Sequence, residues 1–411
     1  MRILLLSTYF RPDVASTGVI MSKLADEFVA RGHEVTVVTS VPHYDKNQVW
    51  PEYSRKLVYR EQGHSMQVYR LYTHVARDKA NVGQRILAYG SFNLLSILRG
   101  LTLSKHDVIL VPSPPLSNGV IADFMGRMRG IPFVYNVQDI WPDVAVRAGV
   151  LKSPKMIHRL KKMEDYVYRR AAGITVISDG FRANLLSKGV PGDKISVIPN
   201  FIDTNFITPR VKPNSFSKSQ NLDDKFVVLF AGNMGFSQGL ENVLNAAKLL
   251  ESIPAIRFLM VGNGAGRESA ETHLATIKAS NVQFLPFQPT DALPEMYGSA
   301  DVCLIPLRRG FTSESVPCKL YTIMAAGKPA IASVDPGSDT WHLLKRTQAG
   351  LCVEPESAQE LADAIAYYHR NQQARDEAGE KARACAETEF LPSTIAESYL
   401  NALQRAVRSR A

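Results

Sequence analysis

"FAGNMGFSQGLENVLNAAKLL", residues 230–250, decides how this chain is read. An apolar strand end runs into a glycine-rich loop, and the loop opens a strongly amphipathic helix. Gly232, Gly235 and Gly239 let the backbone approach a ligand closely, while Asn233 and Gln238 add neutral polar groups. Many plain strand-to-helix turns also carry glycines, so the neighbouring strand ends must decide. "FLMVGNGAGR" (258–267) is a second strand, ending in Gly-Asn-Gly-x-Gly. "VQFLPFQP" (282–289) is a third and "LIPLRRGFTSESVPCK" (304–319) a fourth. Four consecutive strand ends that close in Gly-, Pro- or charge-bearing loops along one edge point to a nucleotide site.

The same pattern extends outward. Strands are predicted near 226–231, 256–261, 282–285, 301–305, 329–333 and 350–353, and in the first half near 2–7, 34–39, 107–111, 132–136, 174–177 and 195–198. Short, nearly continuous apolar runs between amphipathic segments mean buried parallel strands covered by helices. The polar stretch "TPRVKPNSFSKSQNLDDK" (208–225) reads as a linker or surface loop between the two sets. The fold class is therefore α/β, with two doubly wound domains facing a cleft into which the carboxyl ends of their strands deliver ligands. Domains are expected at 1–203 and 204–388. A last helix at 389–411, with Ile395, Tyr399, Leu400 and Leu403 at helical spacing, is expected to pack back on the first domain.

Composition narrows the function classes. A chain of 411 residues with 45% apolar content is neither disordered nor fibrous. "MRILLLSTYF" has an apolar run too short for a secretory signal, and no cleavage site follows it, so it reads as a buried first strand. The four cysteines show no paired metal spacing and read as free thiols in a reducing compartment. No run is long enough to span a bilayer, and a cytoplasmic protein is expected. The charge is uneven. Residues 1–200 hold 27 basic and 16 acidic side chains, a net of +11, against 21 and 23 in 201–411, a net of −2. The basic half is expected to meet something anionic.

"SESVPCKLYTIMAAGKP" (313–329) is a loop feeding a helix N-terminus, a natural anion site because the first-turn N–H groups lack partners. A carboxylate ahead of it, Glu314, does not help bind phosphate and suggests sugar hydroxyls held beside the phosphate. The bland alternative makes Glu314 a solvated loop residue and Lys319 a surface lysine. No Gly-x-Gly-x-x-Gly follows the first strand; "STYFRPDVASTGV" has one glycine, Gly18, at a helix start. That argues against a nicotinamide dinucleotide fold and for a looser phosphate contact at a helix end.

Together, "FAGNMGFSQGLENVL", "VGNGAGR", "FLPFQP" and "VPCKLYTIMAAGKP" resemble family 4 of the nucleotide-sugar glycosyltransferases, which have the GT-B fold of two Rossmann-like domains. "STYFRPDVASTG", "GHEVTVVTSVPHY", "PSPPL", "YNVQDIWPD" and "GITVISDGFRANLLSKGVPGDKISVIPNFID" agree, and are similar to bacterial capsule and O-antigen enzymes of the colanic-acid fucosyltransferase and N-acetyl-fucosamine transferase type. The resemblance implies retaining transfer from a nucleotide diphosphate sugar (UDP- or GDP-linked). The acceptor it implies is a polyprenyl-diphosphate-linked oligosaccharide, met by the N-terminal domain at the inner face of the plasma membrane, with no nucleic-acid partner. A nucleotide-sugar epimerase of the same fold and a membrane-docked, non-catalytic scaffold are the alternatives.

Carried over residue by residue, the resemblance makes Glu314 the first carboxylate of a Glu-x7-Glu signature, contacting donor-sugar hydroxyls. The second carboxylate is missing: Thr322 stands there and offers one hydroxyl to the ribose. Many relatives carry Arg and Lys in the first glycine loop, where this chain has Asn233 and Gln238. Lys319, with Arg308 or Arg309, is the expected cationic replacement at the leaving diphosphate. Gly18, Gly232, Gly239, Gly262, Asn263, Phe287, Ser315 and Val316 complete the expected donor site. The donor half has no Asp-x-Asp motif, so catalysis without metal or other cofactor is expected. Asp139 follows a strand end, as a catalytic or acceptor-side group or merely a helix N-cap. His43 and Tyr44 are acceptor-site candidates. The apolar stretch 83–105 is either a buried core helix or a contact with anionic lipid, with Lys155, Arg159, Lys162 and Arg169 on a basic helix nearby.

Overall fold

The computed structural model describes residues 1–44, 47–63, 65–75, 82–147, 149–311 and 317–409. It divides into two compact units: residues 1–199 with 392–411, and residues 200–391. Each is an open α/β sheet covered by helices.

Among the described residues the first unit holds an eight-stranded sheet: β1 (Arg2–Leu6), β2 (Glu34–Ser40), β3 (Val58–Gln62), β4 (Met66–Leu71), β5 (Val108–Ser113), β6 (Phe133–Val137), β7 (Gly173–Val176) and β8 (Ile195–Val197). Their order is β3-β4-β2-β1-β5-β6-β7-β8. All neighbours are parallel except β3, which lies antiparallel on β4. Central strands such as β5 and β6 are buried along their whole length, as apolar runs packed on both faces must be. The edge pair β3–β4 breaks that rule and was not anticipated from sequence. β3 is exposed or half-buried along its length and carries adjacent charges, Arg60 and Glu61, and the buried Arg70 of β4 is accommodated by Glu61 across the hairpin at 2.6 Å. A hairpin with one wet face does not read as a continuous apolar run.

The second unit carries β9 (Phe226–Ala231), β10 (Ile256–Val261), β11 (Val282–Leu285), β12 (Val302–Pro306), β13 (Ala330–Ser333) and β14 (Gly350–Val353), in the order β11-β10-β9-β12-β13-β14, all parallel. These six are the strands predicted from sequence. The core is built from Val228, Phe230, Phe258, Met260 and Leu304 of the sheet with Val243, Leu244 and Ile365 of the helices. The polar stretch 208–225 is not a free linker. It carries the helix Ser215–Ser219, closed by a capping box from Asn214, and Lys212 is paired with Asp301. The Lys212 pair and a 3.2 Å hydrogen bond from Asn214 Nδ2 to Glu295 O tie the stretch into the second unit, because buried polar groups must find partners.

The last helix, Pro392–Arg408, belongs to the first unit. Its buried face carries Ile395, Tyr399, Leu400 and Leu403, and the Tyr399 hydroxyl accepts a 2.8 Å hydrogen bond from Asn136 Nδ2 on β6. Asn136 also donates to Thr175 Oγ1 at 2.9 Å, so a buried amide in the middle of the sheet is satisfied by a side chain from the far end of the chain.

Candidate active site

In the second unit the loops that follow β9 and β10 are laced together. Met234 N donates to Asn263 O at 2.9 Å, and Gly266 N to Met234 O at 2.7 Å. Gly232, Gly262 and Gly264 have φ of +140°, +142° and +154°, a region that side chains rarely adopt. A Cβ on Gly262 would stand 1.9 Å from Gly232 O, so the two loops meet at van der Waals contact of bare backbone. Arg267 braces the seam, donating to Gly262 O at 2.8 Å and Leu285 O at 3.2 Å. Sequence reading did not single out Arg267, because the partners through which it braces the seam are backbone carbonyls.

Lys319 comes to this seam from the helix Cys318–Ala325. Its Nζ donates to Gln238 Oε1 at 2.8 Å and lies 4.1 Å from the centroid of the Phe230 ring. A Cβ on Gly232 would be 3.5 Å from that nitrogen. Among the described residues no carboxylate pairs with Lys319, and burial pulls its ammonium down to about 7. A cation placed over an aromatic face and beside bare backbone, without a built-in counter-charge, is suited to an anionic ligand. Thr322 follows three residues later, hence on the same side of that helix, and is half-buried.

The two arginines expected to help Lys319 are engaged elsewhere. Arg308 donates to Glu241 at 2.9 Å and Arg309 to Glu354 at 3.0 Å. Each cation is offset by its own carboxylate in this structure, which sets both apart from Lys319. Gly239 caps the helix Leu240–Leu249 and donates its N–H to Pro306 O at 3.0 Å, so its amide is already committed. Asn233, Asn263 and Phe287 are exposed on the loops after β9, β10 and β11. Glu314, Ser315 and Val316 lie outside the described residues.

The other named residues fall in the first unit. Gly18 is the third residue of the helix Ser16–Ala30 and packs on the β1 exit, where a Cβ would lie 3.1 Å from Tyr9 Cβ. His43 and Tyr44 follow β2. Their backbone N–H groups both donate to Asp13 Oδ1, at 3.1 and 2.9 Å, and both rings lie against Tyr9, with centroids 5.6 and 5.2 Å away. His43 Nδ1 donates to Val41 O at 2.8 Å, which leaves Nε2 as the acceptor of the neutral ring. Asp13 was missed from sequence, since it acts on amides thirty residues away. Asp139, past the end of β6, does not cap a helix: the next one begins at Asp143, and no described group bonds the Asp139 side chain. Burial alone raises its carboxyl to about 6.

Comparison with known proteins accords with this geometry. Residues 17–200 match the family described as "Glycosyl transferase 4-like domain", and residues 211–384 match "Glycosyl transferases group 1". The chain is a glycosyltransferase of the GT-B fold. It is similar to the putative colanic acid biosynthesis glycosyl transferase WcaI of Escherichia coli K12, at 28% identity over 89% of this chain and 91% of that one. The sucrose-phosphate synthase of Thermosynechococcus elongatus has the same fold, with a TM-score of 0.74 at 18% identity and full coverage of both chains. So does Anabaena HepE, solved in complex with UDP-glucose, with a TM-score of 0.71 at 18% identity over 98% of this chain and 99% of the other. Among the described residues no helix of this glycosyltransferase is long and apolar enough to cross a membrane.

Proposed function

We propose that this glycosyltransferase moves a sugar, with retention, from a nucleotide diphosphate donor to a polyprenyl-diphosphate-linked oligosaccharide during bacterial surface polysaccharide synthesis, on the cytoplasmic side of the membrane. The observation that carries the donor half of this reading is Lys319, a desolvated cation held by Gln238 and Phe230 beside the bare backbone of Gly232. A departing nucleoside diphosphate gathers negative charge, and stabilising such charge is usually the largest catalytic contribution. Lys319 supplies it, the glycine seam of Gly232, Gly262 and Gly264 admits the phosphates, and the Thr322 hydroxyl takes the ribose. Glu314 is assigned to the sugar hydroxyls. Asp139, His43 and Tyr44 are assigned to the acceptor side. The sequence match to WcaI supports the polysaccharide setting, and the nucleotide sugar bound by HepE supports the donor class.

The test is product analysis after incubation with UDP- and GDP-sugars, with and without a polyprenyl-diphosphate-linked acceptor. Acceptor-dependent release of nucleoside diphosphate, with an elongated lipid product of retained anomeric configuration, is expected. An epimerised donor formed without acceptor would replace transfer by epimerisation. Absence of binding to both UDP and GDP in calorimetric titration would overturn the donor site itself.

A further inference from the structure

A cavity of about 580 Å³ opens in the first unit, at the end of the sheet opposite Asp139. Its walls are the amino ends of β6, β7 and β8 and the inner side of the last helix, Pro392–Arg408. Asp139 lies past the carboxyl end of β6, whereas Phe133, which lines the cavity, begins that strand. At about 3.3 Å per strand residue the two stand roughly 20 Å apart. Open parallel sheets present the groups of their main site at the carboxyl ends of the strands, so this cavity is a separate place in the fold. Its volume is that of a pocket for a small molecule.

The lining is cationic over an apolar floor. The buried Asp123 is spent, paired with Arg127 and Arg170 at 3.0 Å each and accepting from the Tyr166 hydroxyl at 2.6 Å. Two guanidinium groups on one carboxylate leave a net positive charge. Lys194 Nζ donates to the carbonyls of Arg169 and Ala171 at 3.1 and 3.3 Å, and Arg405 Nη2 donates to Ser196 Oγ at 2.8 Å. Those acceptors are neutral, and among the described residues no carboxylate pairs with Lys194 or Arg405. Both cations are thus oriented while keeping their charge for a ligand. Between them the floor is made of the buried Phe133, Ile174, Ala402 and Ala406, and the exposed Asp193 adds one acceptor. We propose that the cavity binds a sugar phosphate. Its phosphate dianion bridges Lys194 and Arg405, its hydroxyls donate to Asp193, and the apolar face of its ring lies on the floor. Inorganic phosphate would leave the floor uncovered, and an anion with a hydrocarbon body would bring no donor to Asp193. Lys194 directly precedes the edge strand β8, and Arg405 sits near the end of the last helix. The bound phosphate therefore fastens the end of the chain to the sheet. The inference does not depend on the transfer reading, since a chain that bound the ester without transferring sugar would leave it intact.

The experiment is calorimetric titration of the full chain with glucose 1-phosphate, glucose 6-phosphate, glucose and inorganic phosphate, in the presence of excess UDP to occupy the donor site. At least one of the two esters is expected to bind at least about tenfold more tightly than inorganic phosphate or glucose, the usual minimum worth of added charged or hydroxyl contacts. Lys194→Met and Arg405→Gln are each expected to weaken that ester at least about tenfold. Asp193→Asn should weaken the ester and leave inorganic phosphate unchanged, and because this residue is exposed the variant tests the site even if a cation variant fails to fold. Lys319→Ala should leave ester affinity as it is. Amide exchange within residues 399–408 is expected to slow when the ester binds, which places it against the last helix. The proposal is overturned if neither ester binds, if inorganic phosphate binds equally well, or if the cation variants keep full affinity. Loss of ester binding in Lys319→Ala overturns it too, by moving the ligand to the donor site.

Discussion

The Lys319 ammonium is held 2.8 Å from Gln238 Oε1, by a neutral group and not by a carboxylate. Gln238 belongs to the first glycine loop and Lys319 to the helix of the fourth strand end. Their bond therefore brings two separate sequence motifs to one point. A neutral partner orients the cation without cancelling it, leaving its charge available to a ligand.

Replacing Lys319 by Ala is expected to weaken nucleoside diphosphate binding by about 1.5–3 kcal/mol, the usual worth of a hydrogen bond to a charged group. Calorimetric titration with UDP and GDP measures it. Unchanged affinity for both would remove Lys319 from the donor site and leave the phosphates to backbone N–H groups or other cations.

Donor binding should also take up a proton. With its pKa drawn down to about 7, Lys319 is increasingly neutral as pH rises past that value, and a bound diphosphate favours the charged form. Affinity is expected to fall from pH 6.5 to 8.5. Titrations near pH 8 in buffers of different ionisation enthalpy should report net proton uptake, and a buffer-independent heat there would refute the coupling. The same depressed pKa means that the native state gives up this proton before the unfolded state does. Stability from this group accordingly rises with pH between about 7 and the ordinary lysine value of about 10.4.

Arg308→Ala and Arg309→Ala provide the contrast. Each arginine is matched by a carboxylate and sits at the surface, where an exposed pair is worth only about 0–1 kcal/mol. Neither change should move diphosphate affinity by more than about twofold on that scale. A loss comparable to that of Lys319→Ala would show that the arginines leave their partners for the ligand.

Asp139→Asn should stabilise the fold in a pH-dependent manner. The native carboxyl is raised to about 6 by burial, against about 3.9 when unfolded. Its favourable contribution is fully present below the unfolded value and is lost as pH rises through about 6. The variant is expected to match wild type near pH 3.5 and to melt higher above pH 7, with an upper bound of about 3 kcal/mol. Thermal unfolding across that range decides it, and a constant difference would mean that burial does not govern this group.

Asp13→Ala removes the acceptor for two backbone N–H groups, those of His43 and Tyr44. About 1–3 kcal/mol of stability should be lost for each donor left unpaired and dry. If the His43–Tyr44 turn serves the acceptor, KM for the lipid-linked substrate should rise while UDP or GDP affinity stays put. A rise in neither would leave Asp13 a purely structural residue.

Legibility from sequence followed the physics of each contact. The six strands of the second unit were readable because each is a short, largely apolar run, buried in the centre of the sheet and half-buried at its edges, β11 and β14. The β3–β4 hairpin was not, because Arg70 and Glu61 satisfy each other only once the strands have paired. Lys319 and the glycine seam stood out from local motifs. The engagement of Arg308 did not, since Glu241 lies 67 positions earlier and nothing local announces the pairing. Asp13 was hidden for the same reason, having no sequence neighbour among its partners.

The hydrogen bond from Asn136 to Tyr399 spans 263 positions, and that separation bears on synthesis at the ribosome. The sheet of the first unit emerges early, yet Asn136 must wait for its hydroxyl partner until nearly the whole chain has been made. At roughly 5–20 residues per second, that interval lasts tens of seconds. During it the surface later covered by Ile395, Leu400 and Leu403 stands open, while the second unit can finish folding on its own segment. The unit that begins first is completed last. A fragment ending at Pro199 would keep that surface bare permanently, and would need residues 392–409 supplied in trans to close it.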